Sequence, residues 1–244
     1  MVVLRKNSHG RVLVVENEHD AGPERLRPWL TGAGIELELC RPYTGEKLPK
    51  RIDKGGLIVL GGEMGAADDH KAPWLAGVRT LFEQAVADAR PVLGICLGAQ
   101  LLASACGGRV EPSRSGGEVG LGVIDLNDRA GSDRLFGAMQ SPVEAVQWHN
   151  DEITKLPEGA VPLASSSHCQ IEAYRIAELS WGVQFHPEVD SSVLRTWAAS
   201  EDAASPERRR QIESAIEQVA SAESRLFQCW RAFAEQFAII VKET

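Results

Sequence analysis

At 244 residues with a formal net charge of −8, the chain has the size of one α/β domain, or of one domain with an appendage. The acidic balance argues against nucleic acid as a partner, because phosphate binding calls for a basic face. No apolar run of about eighteen residues is present, so no membrane-spanning helix is expected, and five scattered cysteines without C-x-x-C spacing form neither a disulfide framework nor a zinc signature.

Residues 1–11 carry Arg5, Lys6 and Arg11 but no apolar stretch, so no secretory signal is expected. Together with the unpaired cysteines this points to a reducing, cytoplasmic setting. Residues 12–15 (VLVV) read as a strand buried on both faces. Residues 25–33 read as a helix with Leu26, Trp29 and Leu30 on one face and Gly32 and Gly34 at its end. Residues 35–39 alternate with period two, as an edge or half-buried strand does, and residues 57–60 are a second apolar strand ending in glycines. Helical spacing returns from Trp74 to Val86 behind Pro73. The strand at 92–95 follows, then a helical stretch at 101–105. Strands alternating with helices in this way predict a mostly parallel, doubly wound sheet, with ligands beyond the strands' carboxyl ends. Between Val110 and Val183 the pattern shifts to short strands at 123–126, 145–148 and 161–164, read as an antiparallel excursion before a last core strand at 181–184. Ser205-Pro206 caps a long helical pattern running towards Lys242, where Glu223 and Ser224 interrupt the apolar stripe and predict a break into two helices. The division expected is a domain over 1–200 and a helical extension over 201–244 packed on it. A second copy of the chain is the other candidate to cover that stripe. Arg208, Arg209 and Arg210 sit among Glu207, Glu213 and Glu217 and read as a solvated face.

The chemistry concentrates in Gly94-Ile95-Cys96-Leu97-Gly98-Ala99-Gln100. Strand, G-x-C-x-G, helix is the thiol form of a nucleophile elbow, a sharp turn that exposes one side chain at a helix amino end, where a thiolate is favoured. The competing reading, a buried structural cysteine, is assigned to Cys40, Cys106, Cys169 and Cys229. Far downstream stands Phe185-His186-Pro187-Glu188. Pro187 forces His186 into an extended conformation, and residues two apart in extended chain face the same way, so Glu188 can hold the ring nitrogen turned away from Cys96. His9, His19, His70 and His168 have no comparable context and are assigned no chemistry.

These segments resemble the class I glutamine amidotransferases, whose Cys-His-Glu enzymes release ammonia from glutamine. Leu60-Gly61-Gly62-Glu63-Met64-Gly65 resembles the family's G-G-P loop, Trp148-His149-Asn150-Asp151 its W-H-G-D loop, and Glu118-Val119-Gly120 its E-I-G segment, with Glu63 standing for proline and Asn150 for glycine. The resemblance implies a flavodoxin-like three-layer α/β sandwich with Cys96 as nucleophile, His186 as base and Glu188 as its orienting carboxylate. As in other elbow enzymes, an oxyanion hole from the amides of Leu97 and Gly62 is expected. Gln100, His149, Asn150 and Asp151 are the implied contacts to the substrate's amino-acid portion; Gln100 also reads as an ordinary polar residue of a first helical turn. Neither H-E-x-x-H nor G-x-x-x-x-G-K-[ST] occurs, so no metal and no cofactor are expected. The implied activity is glutamine hydrolysis that delivers ammonia to a separate synthetase. A γ-glutamyl conjugate hydrolase and a non-catalytic binding module on the same fold are the alternatives. A related superfamily of intracellular proteases and chaperones shares the cysteine elbow but lacks the H-P-E segment.

Overall fold

Three apolar segments with both faces buried set the centre of the sheet. In a computed structural model of the chain, which describes residues 10–114, 116–201 and 205–244, they are β1 (Gly10–Val15), β3 (Gly56–Val59) and β4 (Val92–Ile95). Arg5, Lys6 and His9 lie outside the described residues. The remaining strands are β2 (Ile35–Cys40), β5 (Arg109–Pro112), β6 (Glu118–Leu126), β7 (Val143–His149), β8 (Asp151–Lys155), β9 (Val161–Ser165), β10 (Ala173–Ile176) and β11 (Ser180–Val183). The main sheet runs β2-β1-β3-β4-β11-β10-β9-β6-β7, and β5 pairs with β8 separately. From β2 to β11 every pairing is parallel; from β11 to β7 every pairing is antiparallel. The excursion expected from the sequence therefore extends the same sheet.

Helices cover both faces. Alternation along β1 sends Val12 and Val14 to one side and Leu13 and Val15 to the other. The first side packs on α1 (Leu26–Gly32) and α5 (Pro206–Glu243), the second on α2 (Trp74–Ala87) and α3 (Leu97–Ala105). The short α4 (Ser191–Ser200) follows the H-P-E segment, capped by the Asp190 carboxylate, which accepts from the Ser192 and Val193 amides.

The expected break in the last helix does not occur: α5 is one helix of 38 residues. Ala215 and Ala222 carry the buried stripe between Ile212, Val219 and Leu226, so the spacing of three and four continues past Glu223 and Ser224. Glu223 is turned sideways to tertiary use, accepting from Ser191 Oγ at 2.6 Å and pairing with Arg25 at 3.5 Å. Farther along, Trp230 lies against Phe185 with ring centroids 4.9 Å apart and donates to the Glu144 carbonyl at 3.0 Å, and Phe233 meets Phe136 edge-on at 5.2 Å. The stripe thus faces the protein's own sheet. Two of the four cysteines read as buried and structural differ from that reading, because Cys106 and Cys229 are only half-buried whereas Cys40 and Cys169 are buried.

Candidate active site

The site grows from three adjacent parallel strands. Val59 of β3 lies opposite Gly94 of β4, and Val183 of β11 opposite Ile95, so the segments leaving all three emerge at one edge. Cys96 is the first residue beyond β4, and its amide donates to the Val183 carbonyl at 2.8 Å. Its backbone has φ 49° and ψ −108°, a conformation that costs on the order of 1–3 kcal/mol and is sustained by the surrounding packing. The flanking glycines follow from close approach. A Cβ on Gly94 would lie 2.6 Å from the Gly98 carbonyl group, and one on Gly98 would lie 2.1 Å from the Val59 carbonyl oxygen. The elbow can press onto the neighbouring strand only without those carbons. Leu97 opens α3, so its amide is among the four at a helix start that lack an intrahelical acceptor, while its side chain is buried.

His186 arrives from β11 through Gln184 and Phe185, and its amide donates to the Val146 carbonyl at 2.8 Å. Nδ1 meets Glu188 Oε1 at 2.8 Å, with the two side chains 3% and 4% exposed. A carboxylate only accepts, so Nδ1 carries a proton and Nε2 is the nitrogen left to exchange one with the thiol. Nε2 is buried and has no hydrogen-bond partner of ordinary geometry. Burial opposes charge on this ring, but the charges of Glu188 and Cys96 outweigh it and push the imidazole up to about 10. The edge of Trp197, on α4, closes over the ring at a centroid distance of 4.9 Å.

Gln100, Asn150 and Asp151 line a cleft of about 750 Å³ together with Gly62, Cys96, His149 and His186. Gln100 is 3% exposed and its amide nitrogen donates to the Asp151 carbonyl at 3.0 Å and to Gln184 Oε1 at 3.2 Å. It therefore fixes the 149–151 loop as well as facing the cleft. His149 Nδ1 contacts the same Asp151 carbonyl at 3.1 Å. Burial first, then the charge of His186, holds the His149 ring down at about 4, so it is neutral. Glu63 in place of proline supplies an N–H that proline lacks, and this donates to Glu18 Oε2 at 3.0 Å. His19, assigned no chemistry from sequence, lines the outer cleft beside Asp20.

Four residues of the site carried no motif. Asn17 donates to the Leu60 carbonyl at 2.9 Å and so steadies the glycine loop. Glu18 receives the Glu63 amide. Gln184 donates towards Cys96 Sγ at 3.7 Å, and Trp197 covers the histidine. The available signal for the first two was polar sequence directly after a fully apolar strand, at the sheet edge where ligands bind.

The family description Glutamine amidotransferase class-I matches residues 26–199. The chain is 33% identical over 180 residues to a glutamine-hydrolyzing GMP synthase subunit of Natronomonas pharaonis, covering 73% of this chain and 88% of that one. It is 36% identical over 154 residues to the glutamine-hydrolyzing GMP synthase of Porphyromonas gingivalis, covering 62% of this chain but spanning only 28% of that relative's length. The crystal structure of a glutamine amido transferase from Methylobacillus flagellatus superposes with a TM-score of 0.82 at 29% identity, over 96% of this chain and 95% of that one. Because the matched span takes in Cys96, His186 and Glu188 alike, the shared pattern reaches from the elbow to the last core strand, and the protein belongs to the class I glutamine amidotransferases.

Proposed function

We propose that the protein hydrolyses the side-chain amide of glutamine through a γ-glutamyl thioester on Cys96, and that the ammonia serves a separate acceptor enzyme. The observation that carries this reading is the strained Cys96 turn set beside a histidine held by a buried carboxylate. The Cys96 proton rests on His186 Nε2, and the thiolate so formed attacks the amide carbon. The Gly62 and Leu97 amides take the developing oxyanion, and Nε2–H protonates the departing ammonia. A water deprotonated by the same nitrogen then releases glutamate. Asp151, Asn150 and His149 hold the substrate's α-ammonium and α-carboxylate groups, with Gln100 fixing their loop. The Natronomonas relative, itself one subunit of a synthase, supports a separate acceptor, and a catalytic thiol fits a reducing, cytoplasmic compartment.

The cleft favours a second reading, hydrolysis of γ-glutamyl amides with a cationic leaving group. Its outer wall carries Glu18, Asp20, Glu63 and Asp68, and no Lys or Arg is among the described residues that line it. Burial, with Glu63 and Asp20 beside it, raises Glu18 above the usual carboxylate range, as expected where negative charge is crowded. The decisive assay measures ammonia from glutamine against amine from γ-glutamyl amines, in the native chain and in Cys96→Ala. Turnover lost in Cys96→Ala, with diazo-oxo-norleucine labelling Cys96 alone, is the expected result. Turnover that survives Cys96→Ala rejects both readings, and the preferred substrate decides between them.

A further inference from the structure

Beside β7 lies a second, largely buried polar cluster, Glu118, Cys169 and Glu172, that the hydrolytic chemistry does not use. Glu118 at the start of β6 and Cys169 and Glu172 in the turn between β9 and β10 each bring one donor atom within 4.8 Å of the other two. Glu172 is 0% exposed. Gln147 Nε2 donates to its Oε1 at 2.9 Å, while its Oε2 is buried without a partner. His149 lies opposite Glu118 in the β6–β7 register. Its Nδ1 is committed to the Asp151 carbonyl, which leaves Nε2 as a bare acceptor, 2% exposed for the side chain, unpartnered, and 3.7 Å from Glu118 Oε1. Cys169 Sγ donates to the Ile171 carbonyl at 3.5 Å, but Glu172 Oε2 and His149 Nε2 remain buried acceptors that no donor meets, as beside a place for a cation.

We propose that Glu118, Cys169 and Glu172 form a binding site for a divalent transition metal, zinc by its donor set. A thiolate with two carboxylate donors suits Zn²⁺ and disfavours Mg²⁺ or Ca²⁺, which take oxygen alone. Tetrahedral bonds of about 2.0–2.3 Å require the three donors to close by roughly an ångström, within the reach of side-chain rotation. Burial pushes the Cys169 thiol up to about 12 and Glu172 up to about 7, and a dication reverses that preference by displacing the protons. The sequence concealed this set because C-x-x-E with a carboxylate some fifty residues upstream is no metal signature. The ion would tie β6, β7 and the 166–172 turn together directly behind His149, and so stiffen the wall of the cleft.

The test is zinc titration of the full chain carrying Cys96→Ala, which silences the cleft thiol, by calorimetry and by melting temperature. One ion per chain and a raised melting temperature are expected, with binding weakened at least about tenfold in Cys169→Ser and in Glu172→Gln. Cobalt serves as an optical probe: its sulfur-to-metal charge-transfer absorption should be present while Cys169 is intact and absent in Cys169→Ser. Lack of saturable binding overturns the proposal. So does binding unchanged in Glu172→Gln, which would put the ion on the outer carboxylates, or a cobalt complex with no thiolate band. The last two hold even if Cys169→Ser fails to fold.

Discussion

Replacing Glu188 by Gln keeps the shape of the carboxylate but removes the charge on which the imidazolium depends. In the native protein His186 is held up to about 10, with burial working against it and Glu188 leading the opposing charges. Without that charge the largest support of the imidazolium is gone, leaving Cys96 alone to hold the ring up against burial, so the ring falls from its native value. A less favoured imidazolium means less thiolate, the form that attacks, and kcat/KM falls with it. The amide can also present either its oxygen or its nitrogen to Nδ1, which loosens the tautomer; in a serine-protease triad the comparable change cost about 10⁴-fold, taken here as the upper bound. The expected loss is up to about 10⁴-fold, or up to about 5.4 kcal/mol of barrier. Steady-state ammonia release gives the rate, and an NMR titration of the imidazole C–H gives the ring's own midpoint. Because the folded-state value is raised, the stability it contributes is present below about pH 6.5 and lost as pH rises through about 10. The stability gap between native and Glu188→Gln should therefore be widest at the acid end of that window and fade towards its alkaline end. An unmoved imidazole midpoint, or full activity in a folded Glu188→Gln, would sink the assignment of Glu188 as the orienting carboxylate.

Gly98→Ala should cost roughly 1–3 kcal/mol or more in urea denaturation, because its Cβ meets main chain 2.1 Å away; a variant as stable as the native chain would mean that the elbow is less tightly pressed on β3 than described. Phe233→Ala, at a side chain 1% exposed and packed on Phe136 and Trp230, should lose about 3–5 kcal/mol, and a loss under about 1 kcal/mol would indicate that α5 is loosely held. Truncation before Ser205 uncovers Phe185 and Phe136 at once, so an insoluble or unfolded product is expected; a monomeric, fully active truncate would make α5 a docking element.

What was legible in the sequence was whatever depends on local chain geometry. The elbow announces itself because two glycines are needed within hydrogen-bonding distance of backbone, and the His186–Glu188 pairing because proline fixes an extended residue and extended chain repeats every two. Buried strands show as β-branched runs for a similar reason. The antiparallel half of the sheet was less legible: alternation reveals that 123–126 and 161–164 are strands but says nothing of the partner, and β10, a four-residue segment, is too short to show a period. The break expected at Glu223 is absent because the polar residues there only look like a gap in the stripe, which Ala215 and Ala222, small and easily overlooked, in fact fill.

The unread part of the site has a different origin. Asn17, Gln184 and Trp197 come from segments that precede, adjoin and follow the recognisable motifs, and each acts through a contact spanning many residues of chain: Asn17 to Leu60, Gln184 to Gln100 and Cys96, Trp197 to the His186 ring. Their role is to hold groups whose own positions the motifs specify. An elbow under strain and a histidine in a dry pocket have alternative conformations of lower local energy, so the chemistry depends on the neighbours that deny them those alternatives. Those neighbours are fixed by sheet register, since the ends of β1, β3, β4 and β11 must arrive together before any of these contacts can form. A motif specifies the reacting groups; it is the long-range pairing of four strands that makes their geometry persist.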